Sequence, residues 1–150
     1  MRARVALLSV AVVAVASVIV GYSLRDSLTD RLAFIYFGRG AQLSKQGADK
    51  LELDLKSDPN SFADRIELLT FYSFKITGDG LTPEELANRR EHILWVIAHQ
   101  PASTFAADHS AAFDPYGRDP EGLQQGKRLW LQQVQTKPTD TRILYNAGRF

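Results

Sequence analysis

At 150 residues, 45% hydrophobic and 23% charged, the chain can bury one modest core and is not wholly disordered. Its formal net charge is +1; with Arg2 and Arg4 assigned to a leader, the body keeps 16 basic and 17 acidic residues, which lacks the positive field that nonspecific nucleic-acid binding requires. The absence of cysteine excludes disulfides, thiolate nucleophiles, iron–sulfur clusters, Cys-type zinc sites and a lipid anchor on cysteine.

The leader is residues 1–24: Arg2 and Arg4, then an uncharged run from Val5 to Leu24 dense in Val, Ala, Leu and Ile. Twenty helical residues at about 1.5 Å each reach roughly 30 Å, the hydrocarbon thickness of a bilayer. Tyr22 falls near the far end, where an interfacial aromatic belongs. Two readings fit. A signal peptide would be cut after Ala14-Val15-Ala16, leaving a secreted or periplasmic body. An uncleaved single-pass anchor in the cytoplasmic membrane is favoured, because the apolar run continues through Ser17-Val18-Ile19-Val20. Arg2, Arg4 and the amino terminus crowd closer to the run than Arg25, Arg31 and Arg39 do, which leans toward an extracytoplasmic body.

Residues 25–150 read as one helical domain. Leu28, Leu32 and Ile35 fall at i, i+4 and i+7 on one helical face, and Gly38-Arg39-Gly40 either breaks that helix or forms a weak spot in it. Leu43, Ala48, Leu51 and Leu55 follow at helical spacing until Ser57-Asp58-Pro59-Asn60 stops the segment. Phe62, Ile66, Leu69 and Ser73 define the next stripe, widened by Leu68, Phe71, Tyr72 and Phe74, before a turn at Gly78-Asp79-Gly80. Thr82-Pro83-Glu84-Glu85 is a strong helix start: Thr82 as N-cap, Pro83 in the first position, Glu85 closing a capping box. Leu86, Ile93, Leu94 and Ile97 supply its apolar face, and Gln100-Pro101 ends it.

Thr104 to Phe113 is expected to be a short Ala-rich helix, followed by a turn at Asp114-Pro115-Tyr116-Gly117. Asp119-Pro120-Glu121 opens another helix by the same capping logic, with Leu123, Trp130, Leu131 and Val134 as its buried candidates and Lys137-Pro138 as its end. A last helix begins at Thr141 and the sequence stops about ten residues into it, an unpaired helix that points to a fragment or a capping role. No run reads as a strand, so the predicted class is all-α.

Three helices thus stop at Pro59, Pro101 and Pro138, intervals of 42 and 37 residues. Twelve and eight residues before Pro59 stand Gly47 and Leu51; the same offsets before Pro138 give Gly126 and Trp130. The middle copy keeps Ile93 but has Arg89 at the small position. Nine, ten and thirteen residues after Pro59 are Leu68, Leu69 and Tyr72, and nine and ten after Pro138 are Ala147 and Gly148, whereas Ser110, Ala111 and Asp114 match poorly after Pro101.

This arrangement, over roughly Gly47 to Phe150, resembles the tetratricopeptide repeat family, with an insertion around Ile76 to Thr82 and a degraded helix after Pro101. The resemblance implies antiparallel helix pairs stacked as a short α-solenoid, in which a small residue lets neighbouring helices approach and a bulky one fills the gap. It also implies that the first helix of each pair lines a groove for a protein or peptide segment. The groove residues would be Ala63, Ile66, Thr70 and Ser73 in the first copy and Arg142, Tyr145, Asn146 and Arg149 in the last, where two arginines and an asparagine suit an anionic tail.

Catalysis finds little support. His92 and His99, two turns apart, cannot chelate one metal unaided; no G-x-S-x-G elbow occurs; and Glu84-Glu85, Asp114 and Asp119 are explained by caps and turns. Neither a metal nor another cofactor is expected. The sequence reads as a non-catalytic interaction module, with an exported helical-bundle sensor for a small ligand, or the accessory N-terminal part of a larger enzyme, as the alternatives.

Overall fold

The computed structural model describes residues 32–78, 80–113 and 117–150. Six helices, two 3-10 turns and no strand make up these residues, so the fold they form is all-helical. The helices are α1 (residues 32–40), α2 (Lys45–Ser57), α3 (Phe62–Thr77), α4 (Pro83–His99), α5 (Pro120–Thr136) and α6 (Thr141–Arg149). None of them is long and apolar enough to cross a membrane. The apolar run 5–24, on which the anchor expectation rests, lies outside the described residues, as do Leu28, Asp79 and most of the turn expected at 114–117.

Local chemistry explains the boundaries. Ser44, Ser61 and Asp119 each accept a backbone N–H from the first turn of their helix, and Asp140 accepts two. At α4 the box is reciprocal: Glu85 N–H donates to the Thr82 hydroxyl at 3.2 Å while Thr82 N–H donates to the Glu85 carboxylate at 2.9 Å. Gly80 sits at φ 84°, the left-handed region in which a side chain would be strained, and so closes the α3–α4 turn.

α1 corrects one expected face. Of the two outcomes open at Gly38-Arg39-Gly40, the helix passes through to residue 40. Its inward residues are Ala33, Tyr36, Phe37 and Gly40, whereas Leu32 and Ile35, two members of the expected inner face, point outward. Gly40 decides this: a Cβ there would collide with the Glu67 carbonyl and the Thr70 side chain, so only glycine lets α1 close onto α3. Arg39 then bridges to the buried Glu67 carboxylate at 3.2 Å.

The segment after Pro101 corrects a second expectation. In place of an Ala-rich helix it forms two 3-10 turns, Thr104–Ala107 and His109–Ala111, separated by Asp108 in extended conformation. Side-chain capping competes with helix here, because Ser103 accepts Ala106 N–H and Asp108 accepts Ser110 N–H, each starting a new turn. Arg89 occupies the otherwise small position of the middle copy, and its guanidinium donates to the Ser110 and Ala112 carbonyls that a regular helix would have satisfied internally.

α3 is the central element, buried from Arg65 through Thr70. α2 packs on one side of it through Ala48, Leu55, Leu68 and Tyr72. α4 packs on another, and its Ile93, Val96 and Ile97 join Ile66, Leu69, Phe105, Trp130 and Ile143 in the main core. α5 lies against α4 and α6 against α5, while the 3-10 turns touch α3, α4 and α6. Leu131, expected in the core, is exposed; the inward stripe of α5 is instead Gly122, Gly126 and Trp130.

Candidate functional site

The two sets of expected groove residues meet different fates. Ile66 and Thr70 are fully buried in α3 and Ser73 nearly so. Ile66 belongs to the main core with Ala33 of α1, and the Thr70 hydroxyl donates to the Ile66 carbonyl at 2.8 Å, which meets its polar need within the helix. The face of α3 that was to line a groove is therefore covered, by Gly40 of α1 against Glu67 and Thr70 and by the second 3-10 turn.

On α6 the expected residues do share an opening. Arg142, Tyr145, Asn146 and Arg149 line one wall of a cleft of about 460 Å³, and Thr104 and Asp108 of the 3-10 turns face them. Asp140, by accepting the Arg142 and Ile143 N–H groups, sets the start of α6 and thereby the direction of this wall. Arg149 lies 5.7 Å over the Tyr145 ring and donates to its hydroxyl at 3.1 Å, which fixes both against the solvent side. Asn146 is buried, and its side-chain N–H2 donates to the carbonyls of Pro101 and Ser103, both at 2.8 Å. Both amide hydrogens thus anchor the connecting segment to α6. An adjoining hollow of about 390 Å³, lined by Ala33, Phe34, Phe37 and Phe105, shares Thr104 and Asp108 with this cleft, so the Asp108 carboxylate stands between its apolar lining and the two arginines.

A second polar cluster was not foreseen as a unit. Arg65 of α3 is buried; it donates to Nδ1 of His92 at 2.7 Å and to the Pro59 carbonyl at 2.8 Å, with its guanidinium 4.6 Å over the Trp95 ring. A guanidinium can only donate, so Nδ1 is the acceptor and the His92 proton sits on Nε2, 3.0 Å from the Glu52 carboxylate. The Tyr72 hydroxyl donates to the same Glu52 oxygen at 2.5 Å. Burial pulls the Glu52 pKa up, but hydrogen bonds from His92 and Tyr72 and the nearby Arg65 charge outweigh it, leaving Glu52 below the usual carboxylate range. Burial first, and the Glu52 bond second, push the Tyr72 phenol well above its ordinary value. Burial lowers the Arg65 pKa.

This cluster borders a cleft of about 490 Å³ at the junction of α2, α3 and α4, rimmed by Glu84, Asn88 and Glu91. One sequence signal could have found it: His92 lies at i+3 from Arg89 and i−4 from Val96, on the buried stripe of α4. Partners 27 and 40 residues away gave no local trace. His99 stays exposed, stacked on Trp95 with ring centroids 4.6 Å apart, and His109 is exposed beside Asp108. Among the described residues no group of three His, Asp or Glu side chains is placed to hold a metal ion.

Comparison with protein-family models, with curated proteins and with solved structures finds no match to this chain.

Proposed function

We propose that this chain is a non-catalytic interaction module of tetratricopeptide-like helix pairs, held at the cytoplasmic membrane by residues 5–24 with its body on the outer side. The observation that carries it is the cleft of about 460 Å³ walled by Arg142, Tyr145, Asn146 and Arg149, which takes an extended protein segment bearing negative charge. Helix order supports the repeat reading. α2, α4 and α5 each end just before Pro59, Pro101 and Pro138, and the 3-10 turns occupy the slot between α3 and α6 that a first helix paired with α5 would fill.

The test is a photo-crosslinking benzoylphenylalanine at Tyr145, with Leu53 on the exposed side of α2 as the reference position, in cells making the full chain. A discrete protein adduct at 145 that Arg142→Glu with Arg149→Glu abolishes supports the reading. Equal labelling at both positions, or adducts indifferent to the charge reversal, would refute it. The membrane half is tested separately: after alkaline extraction the full-length chain should stay in the pellet, and a soluble product starting near Ser17 would mean cleavage.

A further inference from the structure

The two openings beside the 3-10 turns have opposite chemistry and a common border. The hollow of about 390 Å³ is floored by Ala33 and Phe105, both core residues, and walled by Phe37 and by Phe34, which is 80% exposed. The cleft of about 460 Å³ holds Arg142 and Arg149. Thr104 and Asp108 line both, so an extended chain lying in one reaches the other within a few residues, at about 3.3 Å each.

Asp108 is fixed at that border. Its carboxylate accepts Ser110 N–H at 2.8 Å to start the second 3-10 turn. It also lies 3.3 Å from Nδ1 of His109, whose ring meets Phe37 edge-on. A carboxylate on a ligand is drawn to the arginines and repelled at Asp108, so negative charge is accepted at one end of the path only. At the other end the ligand group must be apolar. The side chains of Ala33, Phe34, Phe37 and Phe105 carry no hydrogen-bonding group and are stabilised only by burying hydrocarbon.

We propose that cleft and hollow form one groove for a two-part protein segment. An acidic residue lies against Arg142 and Arg149, a large apolar side chain fills the hollow, and Asp108 excludes a second acid beside it. The inference rests on the proposed function and deepens it, since that reading supplies the acidic segment but assigns no role to the hollow or to Asp108. Rejection of wrong sequences sets specificity as much as attraction of the right one.

Random dodecapeptides displayed on phage are selected against the full chain in lipid nanodiscs at pH 8, above the ordinary histidine range. The selected sequences are remeasured as free peptides by fluorescence anisotropy. They are expected to carry Asp or Glu within a few residues of Phe, Leu, Ile, Met or Trp, and replacing that apolar residue by Ala should weaken binding about tenfold. Phe34→Ser in the chain should weaken the same peptides about fivefold and leave their Ala versions unchanged; the exposure of Phe34 lets the fold tolerate it. Asp108→Asn keeps the cap, because Asn serves there as well as Asp. It should raise the affinity of peptides with a second acid beside the apolar residue about threefold. Acid selection without an apolar partner, or apolar partners indifferent to Phe34→Ser, overturns this inference and leaves the acidic cleft standing. An Asp108→Asn chain that still rejects the second acid overturns it too. No acid preference, or one that survives Arg142→Glu with Arg149→Glu, overturns both readings. If Phe34→Cys reacts with maleimide far more slowly than Leu53→Cys in the chain without peptide, its own chain or a second copy already covers the hollow, and the proposal fails.

Discussion

Where α2, α3 and α4 meet, the helices are joined by Glu52, Arg65, Tyr72 and His92; where α5 and α6 meet the 3-10 segment, Phe113, Trp130 and Phe150 gather over Gly126. The first region is joined across the helices by hydrogen bonds between ionisable side chains. The second depends on volume: the Phe113 and Phe150 rings cross at 87° with centroids 6.0 Å apart, and Gly126 leaves the space they need. The comparison shows one short helical chain using two kinds of adhesive, with α4 belonging to both, since Arg90 on its flank forks onto Asp119 and Glu121 of α5.

The largest expected effect falls on the volume side. Trp130→Ala should cost about 3–5 kcal/mol of unfolding free energy, because the indole is almost wholly buried and its removal leaves a cavity. Urea titration at pH 7 and at pH 5 should give the same loss at both; a loss that varied with pH would break the distinction between the regions.

Arg65→Ala comes next, at about 3 kcal/mol, since it strands the His92 acceptor and removes the charge facing Glu52. Chemical denaturation measures it, and a double variant with Glu52→Gln should lose less than the sum of the two. Strict additivity would show that the cluster does not act as a unit.

Gly126→Ala should cost about 2 kcal/mol by forcing the Phe113 and Phe150 rings apart. Thermal melts check this, and an unchanged midpoint would mean the rings reorient freely. Thr82→Ala should cost about 1 kcal/mol through loss of the α4 cap.

The subtlest difference is in acid. The Glu52 pKa is lowered in the fold, so its contribution is present above the ordinary carboxylate value of 4.5 and is lost as pH falls through the depressed folded value. Glu85, lowered through Lys75 and the cap after burial is overcome, adds in the same direction. Glu67 opposes both, because burial raises it and its protonation in the fold offsets part of the acid loss. The Tyr72 phenol, raised by burial, contributes below pH 10 and affects only the alkaline limb. Glu52→Gln should therefore flatten the fall of melting temperature between pH 6 and pH 3 relative to the parent chain; an unchanged slope would remove Glu52 from the account.

Legibility in the sequence divides by range. The α4 start at Thr82-Pro83-Glu85 and the α5 start at Asp119-Pro120 could be read directly, because a cap is a contact between residues three or four apart. Arg142, Tyr145, Asn146 and Arg149 could be grouped because they share one short helix, and the structure sets all four on one cleft. Ile66, Thr70 and Ser73 were grouped by the same periodicity, but whether that face is open depends on α1 and the second 3-10 turn, which pack against α3.

What the sequence determined by itself is therefore the helical class, most helix ends and an apolar run of bilayer length, all consequences of local capping, proline geometry and composition. The tertiary structure decided which face of α1 turns inward, the collapse of residues 104–111 into 3-10 turns, and the meeting of Glu52, Arg65, Tyr72 and His92. Those outcomes turn on how closely two backbones approach and on partners tens of residues apart. Gly40 and Arg89 enter the first two through contacts that no periodicity along the chain contains.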